Sequence, residues 1–385
     1  MRTEAFVVLS PGGPFVQQPV EIDVDGLQPH EALVEIKATS ICHTDIHYIN
    51  DTSLAGRFPG VFGHEGAGVV KKTGSAVTQA SPGDHVCISF DSCGHCRQCV
   101  GGQTAYCDSW EKLNFGASRP DGSKAYSFPD TASNGDSRRP ISSHFFGQSS
   151  MSRHVICSER CLVVVRKDVP LEILSPLGCG IMTGAGAMLN HALVTSSSLV
   201  PTTVAVIGTG GVGLSAIMAA KLADNPPQRI VAVDMVWSRL NLARKLGATD
   251  IINSTETPDL AEAFLRISRG RGLDAVIDTT GRPDIISAAL QAIEKRGKVI
   301  SVGLGKPDGE LKTSIPRTLP TGRVYEGCSM GSCEPKVFIP KMIEAWKDGR
   351  FPFTELLKTY PAQDVALAVK EMHAGEAIKV VLLWE

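Results

Sequence analysis

Apolar and polar residues alternate over 31–39, where Val34 and Ile36 mark one face. A period of two predicts a strand with one buried side. Residues 63–72 begin glycine-rich and become β-branched, a turn entering a second strand, and 84–90 form a third short apolar run. Short strands with Gly and Pro between them predict a largely β first domain. Residues 118–143 are rich in Ser, Gly, Pro, Asp and Arg, with a polar stretch over 131–139. Nothing there has a period that could pack, so a long surface loop is expected. Beyond about residue 180 the texture changes. Strands are predicted at 203–207, 230–234, 274–278 and 297–302, and helices at 212–222, 239–246 and 285–293. Strands alternating with helices imply a parallel sheet with crossovers. After about Tyr325 this rhythm is lost, and the apolar end 378–383 predicts a strand that returns to the first domain.

A chain of 385 residues, 43% hydrophobic and 20% charged, is long enough for two domains with sizeable cores. The net charge of −2 gives no basic field that would direct it to nucleic acid or a membrane surface. The first ten residues lack the charged and apolar regions of a secretory signal. The apolar stretch 204–222 is broken by four glycines and reads as strand, turn and helix rather than a membrane span. The cytoplasm is the expected compartment. Eleven cysteines, an odd number in a long chain, argue for metal binding or catalysis over a disulfide scaffold.

Gly208-Thr209-Gly210-Gly211-Val212-Gly213 matches G-x-G-x-x-G, a weak pattern in isolation. Here it follows an apolar strand, opens a helix, and is followed by Asp234 at the end of the next strand. In that context Gly208 permits the tight turn, Gly210 lets backbone approach a pyrophosphate, and Gly213 lets helix pack on strand. The helix N-terminus, just after Gly211, offers free N–H groups and a positive dipole end. Asp234 is expected to accept hydrogen bonds from the adenosine ribose and to repel a 2′-phosphate, which favours NAD over NADP.

Cys93, Cys96 and Cys99, followed by Cys107, can surround one tetrahedral zinc with no open position, a structural site. Such a cluster could equally belong to a zinc-finger binding module. A catalytic zinc needs three protein ligands and one open position. Cys42, His64 and Cys179 are candidates, although spacing alone does not join them.

Taken together, Cys42-His43-Thr44-Asp45, Gly63-His64-Glu65-Gly66, the four-cysteine array, Gly178-Cys179-Gly180 with Thr183-Gly184, and the glycine loop with Asp234 resemble the zinc-dependent medium-chain alcohol dehydrogenases. The motifs occur in that family's order and cover nearly the whole chain. The resemblance implies a Rossmann doubly wound parallel sheet plus a mainly β GroES-like catalytic domain. It implies a catalytic part over 1–180, an NAD-binding part over 181–324, and a return to the catalytic part over 325–385. Cys42, His64 and Cys179 become ligands of a catalytic zinc, so two zinc ions per chain are expected. Glu65 becomes a carboxylate that approaches the metal during ligand exchange, and Asp45 the acceptor that fixes the tautomer of His64. Thr44 would bond the substrate oxygen, and His47 would carry the proton outward through the nicotinamide ribose. His43 and Lys379 are implied near the pyrophosphate, Thr183 and Val212 against the nicotinamide ring, and Arg239 among the cofactor contacts.

Leu113-Asn114-Phe115-Gly116, Asp121-Gly122-Ser123, residues 144–150, and Gly349-Arg350-Phe351-Pro352-Phe353 with Lys358-Thr359-Tyr360-Pro361 are similar to the aryl (benzyl) alcohol dehydrogenase branch. Phe90 would line the substrate pocket and favour flat apolar substrates, or be ordinary core. The implied substrate is a small alcohol or aldehyde, probed in either direction, and the implied assembly a homodimer or homotetramer without nucleic acid or membrane. The rival readings are a reductase of the same fold acting on a complex aldehyde or ketone, and a non-catalytic zinc-binding interaction protein. Cys87, Cys157, Cys161, Cys328 and Cys333 have no place in the motifs and read as small buried residues.

Overall fold

The computed structural model describes residues 1–129, 139–194, 202–306 and 308–385. The chain divides into two compact units, one of Met1–Cys179, Glu334–Pro340 and Thr354–Glu385, the other of Gly180–Cys333 and Lys341–Phe353.

The first unit holds two sheets. One has β1 (Arg2–Val8), β2 (Val16–Ile22), β4 (Gly60–Val61), β7 (Tyr126–Ser127) and β8 (Pro140–Ile141), in the order β4-β1-β2-β7-β8. The other is built on the eleven-residue β3 (Glu31–Ile41), longer than the alternation over 31–39 predicts. With β5 (Gly66–Thr73), β6 (His85–Ile88), β10 (Leu162–Val165), β17 (Leu357–Pro361) and β18 (Lys379–Leu383) it gives the order β10-β6-β5-β3-β18-β17, and β9 (His154–Ser158) also pairs with β3. The apolar strand expected at the chain end is β18. It runs antiparallel to β3, with Val380 opposite Ile41 and Leu382 opposite Thr39. Phe6, Val34, Ile36, Ile156, Val380 and Trp384 share one core, and the Phe6 and Trp384 rings lie 5.0 Å apart.

The region 118–143 is not a bare surface loop. Tyr126 and Ile141 are fully buried, and two-residue strands β7 and β8 extend the first sheet. Strands of two residues leave no period to read, so sequence pattern misses them. Residues 130–138, which include all of the polar stretch but Arg139, lie outside the described residues. Arg119, also buried, donates from Nε and Nη2 to Glu31 at 2.7 and 3.0 Å, tying the excursion to the start of β3. Nearby His144 sits in a left-handed conformation, φ 64°, with Nδ1 2.9 Å from Ser143 Oγ. Burial, together with the positive charges of Arg119 and Lys124, brings its pKa down to about 3.

The second unit is a six-stranded parallel sheet. Its strands are β11 (Thr203–Ile207), β12 (Arg229–Asp234), β13 (Asp250–Asn253), β14 (Leu273–Asp278), β15 (Ile293–Ser301) and β16 (Val324–Gly327), in the order β13-β12-β11-β14-β15-β16. Helices Gly211–Ala220, Trp237–Leu246, Leu260–Ile267 and Pro283–Ala292 supply crossovers. The order turns at β11, between β12 and β14, so the first loop of the unit opens at the switch point of a doubly wound sheet. β13 and β16 escape the sequence pattern because each has four residues and β16 is largely exposed. Among the described residues no single helix is long and apolar enough to cross a membrane.

Two stability predictions follow from the buried cluster. Arg119→Ala strands the Glu31 carboxylate inside the protein and should cost about 3–5 kcal/mol, read as a lowered urea midpoint. His144 is neutral when folded and free to protonate when unfolded. Its contribution is therefore complete above its ordinary value of 6.5 and declines as pH falls toward about 3. His144→Asn, which tolerates the left-handed backbone, should show a smaller loss of midpoint between about pH 7 and about pH 5 than the wild type. Equal losses would remove His144 from the account.

Candidate metal and dinucleotide sites

The two sheets of the first unit bring distant parts of the sequence together at strand ends. Cys42 follows the last residue of β3, while His64 and Glu65 immediately precede β5. The pairing of Ser40 with Val381 sets Lys379 at the same end of β18, and Ser40 N–H donates to Glu65 O at 2.9 Å. Ser89, just past β6, donates to Gly178 O at 2.6 Å, and Ser175 Oγ lies 2.7 Å from Ser40 Oγ. These two contacts pin the segment that ends in Cys179. The result is that one ligand atom each from Cys42, His64, Glu65 and Cys179 lies within 4.8 Å of the others.

Asp45, fully buried in the first turn of the helix His43–Asn50, orders this group. Its Oδ2 accepts from Cys42 N at 2.9 Å, and its Oδ1 accepts from Gly63 N at 3.1 Å and from His64 Nδ1 at 2.9 Å. A carboxylate can only accept, so Nδ1 carries the proton and Nε2 keeps its lone pair. That Nε2 is buried without a hydrogen-bond partner. A buried acceptor beside two thiols, with its other nitrogen already committed, fits a metal such as zinc. The hydrogen bond between the two sulfurs pulls the Cys42 thiol well below its usual range and lifts Cys179 well above it. Lys379 Nζ lies 2.7 and 2.6 Å from the two Glu65 oxygens, both side chains buried. Burial pushes the Glu65 carboxyl up and the ammonium opposes it.

Thr44 Oγ1 lies 3.7 Å from Cys42 Sγ. His43 and His47 are exposed on the same helix, where Thr44 and His47 are one turn apart and share a face. Two side chains of the 144–150 stretch, to which the sequence assigns no role, also shape the group. Gln148, buried, donates to His64 O and Ser89 O at 2.9 Å and accepts from Gly66 N at 3.2 Å. Phe146 stacks on the His64 ring with centroids 4.4 Å apart, held at φ 51°. A left-handed non-glycine residue costs about 1–3 kcal/mol, so surrounding bonds must hold it. From Phe146 the rings continue to Trp110 at 6.0 Å and then to Phe90 at 5.1 Å. Phe90 is thus buried, but as the far end of an aromatic row that starts at His64.

Cys93, Cys96, Cys99 and Cys107 bring their sulfurs within 4.8 Å of one another. The Cys93 and Cys99 sulfurs are 3.9 Å apart, well beyond a disulfide, and none of the eleven cysteines is in a disulfide. Backbone N–H groups point at the sulfurs: Cys93 N to Cys107 Sγ at 3.2 Å, and Cys96 N to Cys93 Sγ at 3.3 Å. The N–H groups of Asp108 and Cys99 bring the Cys96 thiol down to about 6. Donors aimed at four convergent sulfurs favour thiolates and fit a closed zinc site.

In the second unit, Gly208 turns at φ 85°, and a Cβ on Gly213 would lie 1.8 Å from Gly208 O, so the chain needs glycine at both positions. Gly210 precedes the helix Gly211–Ala220 and faces open space, a cradle that fits a pyrophosphate. Asp234 ends β12. Its carboxylate accepts from Thr209 N and Oγ1 at 2.7 and 2.8 Å, and from Met235 N and Val236 N at 2.8 and 3.0 Å. Gly184 lies against the Val212 carbonyl, which brings the helix Gly180–Gly186 and its Thr183 to the start of the glycine-loop helix. Thr183 Oγ1 is buried without a hydrogen-bond partner. Arg239 lies in the helix Trp237–Leu246 that follows Asp234, half-buried with its Nε unpartnered.

Residues 28–132 match the alcohol dehydrogenase GroES-like domain, and residues 211–347 match the zinc-binding dehydrogenase domain. The chain is 36% identical to geraniol dehydrogenase of Castellaniella defragrans, covering 100% of this chain and 98% of that one. An alcohol dehydrogenase zinc-binding domain protein from Burkholderia ambifaria superposes with a TM-score of 0.92 at 38% identity, covering 100% and 99% of the two chains. Benzyl alcohol dehydrogenase from Acinetobacter calcoaceticus superposes with a TM-score of 0.91 at 35% identity, with both chains fully covered.

Asp45→Ala should weaken metal retention at the Cys42 group by about 10–100-fold, measured by chelator competition, while the four-cysteine group keeps its metal. Cys96→Ser should instead lower the thermal midpoint. A chain that loses both metals together on Asp45→Ala would contradict the separation of the two groups.

Proposed function

The chain belongs to the zinc-dependent medium-chain alcohol dehydrogenases, and from that premise we propose that it interconverts primary aryl or allylic alcohols and their aldehydes with NAD. The observation that carries the substrate class is the aromatic row of Phe146, Trp110 and Phe90 beginning on the His64 ring. A planar, unsaturated substrate gains offset or edge contacts with such rings, each worth about 0.5–1.5 kcal/mol beyond area burial. A short aliphatic chain gains only the burial. The names of the relatives, which concern geraniol and benzyl alcohol, point the same way.

Cys42, His64 and Cys179 would hold one zinc and Cys93, Cys96, Cys99 and Cys107 a second. Bound zinc supplies Lewis acidity toward the alcohol oxygen and bound NAD the hydride acceptor. The protein's own work is to orient and to move a proton. Thr44, beside the Cys42 sulfur, accepts the alcohol proton as it passes its own toward His47, which is exposed and releases it to solvent. Glu65 is held by a buried ion pair with Lys379, which would restrain any approach of its carboxylate to a bound metal. The 208–213 loop would cradle the pyrophosphate of a bound dinucleotide. Asp234, whose carboxylate accepts from the Thr209 hydroxyl, would hold the adenosine ribose through the same acceptor. Arg239 would flank that ribose, and Thr183 and Val212 would lie on the nicotinamide side.

The assembly is a homodimer, or a homotetramer built from it, formed through β16. Among the described residues this strand pairs only with β15, and Val324, Tyr325, Ile315 and Leu319 expose apolar surface, the last at 82%. An unpaired edge with apolar neighbours is a template for a second copy. Eleven free cysteines suit a reducing compartment such as the cytoplasm.

The test is NADH formation by purified protein with benzylic, allylic and short aliphatic primary alcohols, alongside zinc content. Turnover should favour the first two classes, with about two zinc per chain. Trp110→Leu should raise KM for benzyl alcohol about tenfold and leave that for butanol within about twofold. A wild type that prefers short aliphatic alcohols would overturn the substrate class.

A further inference from the structure

Three residues of the second unit form a hydrogen-bonded line that none of the roles above uses. His191 Nδ1 lies 3.0 Å from Glu326 Oε1, and His191 Nε2 lies 2.6 Å from Ser332 Oγ. The carboxylate only accepts, so Nδ1 carries the proton and Nε2 accepts from the Ser332 hydroxyl. The ring is mostly buried, and Glu326 keeps about a third of its exposure.

What the line holds is a turn that the backbone alone would not choose. Met330, Gly331 and Ser332 have φ of 49°, 68° and 50°, three left-handed residues in succession. Non-glycine residues in that region persist only where their surroundings over-determine them, and such positions gather at ligand sites. The turn leaves the C-terminal end of β16, the edge of a parallel sheet where ligands bind. It also lies directly on the helix Gly180–Gly186. A Cβ on Gly331 would stand 2.9 Å from each of the Met182 and Thr183 carbonyl oxygens, so no larger residue fits there. Thr183 itself carries the buried hydroxyl without a partner.

The helix that supplies His191 is unusual in a matching way. Residues Ala187–Ala192 form a π-turn that continues Gly180–Gly186. Such widened turns are rare and cluster at functional sites. This one turns two successive side chains onto the same strained turn. Asn190 Nδ2 donates to Gly331 O at 3.0 Å, and His191 reaches Ser332. Lys298 Nζ donates to the His191 and Val194 carbonyls, capping the π-turn with a positive charge.

We propose that His191 is a positioning residue for the dinucleotide: by bridging Glu326 and Ser332 it holds the 330–332 turn against Thr183 and so sets the wall of the nicotinamide end of the site. This rests on the dinucleotide reading above. His191 does not touch the reacting atoms. It fixes a turn whose free conformation would be different, and the cost of ordering that turn is met before the cofactor arrives.

The experiment uses the full-length, zinc-loaded protein and three variants, His191→Phe, Ser332→Ala and His191→Gln. Gln can still donate to Glu326 and accept from Ser332. NADH affinity is read by fluorescence titration, together with KM for NAD, KM for the alcohol, zinc content and thermal midpoint. His191→Phe and Ser332→Ala should weaken NADH and raise KM for NAD by about tenfold, with KM for the alcohol within about twofold and zinc unchanged. His191→Gln should recover most of the affinity. Wild-type NADH affinity in both disrupting variants would overturn the proposal. So would a fall in thermal midpoint with both KM values raised alike, which marks a structural role only. A wild type that binds no NADH would instead sink the dinucleotide reading, and with it this inference.

Discussion

The metal group depends on one carboxylate. Asp45 accepts from the backbone of Cys42, from the backbone of Gly63 and from the ring of His64. Three acceptances from one buried side chain fix the end of β3, the turn before β5 and the tautomer of His64 at once. Burying that charge is expensive unless it is fully bonded, so the arrangement has little freedom to be approximately right. The neighbouring bonds from Ser89, Ser175 and Gln148 then have a defined target, because they tie strand ends already set in register.

Much of this was legible in the sequence because its chemistry is local. The glycine loop, Asp234 and the four-cysteine array are read from a few consecutive residues, and the helix, turn and strand they require are found where the pattern sets them. Cys42, His64 and Cys179 could be joined only through resemblance, since nothing in a spacing of tens of residues brings them together. Sheet register does that for Cys42 and His64, through β3 and β5, and the Ser89 and Ser175 bonds bring in Cys179. The aromatic row was only one-third visible. Phe90 stands near a motif, but Trp110 and Phe146 gain meaning only when Phe146 adopts a left-handed conformation, which no propensity favours. The same is true of His191, a residue with no motif around it, and of β7, β8, β13 and β16, which are too short to carry a period.

The two units use strain in a similar manner. In the first, residues 144–149 include four left-handed positions and carry the ring that stacks on His64. In the second, residues 330–332 carry the hydroxyl that meets His191. Each is restrained by side-chain hydrogen bonds from a buried polar residue, Gln148 or His191. Regular strands supply rigidity, and short irregular segments supply direction. Local sequence rules fail at such segments because tertiary bonds override the backbone's own preference.

The last strand also gives the assembly an order in time. β18 lies inside its sheet, between β3 and β17, and it begins with the lysine that neutralises Glu65. A ribosome delivers Cys42, His64, Glu65 and Cys179 long before it delivers Lys379. Until β18 is made, the Glu65 carboxylate lacks the lysine that faces it in the fold, and β3 lacks one neighbour. One strand therefore completes the sheet and the charge balance together.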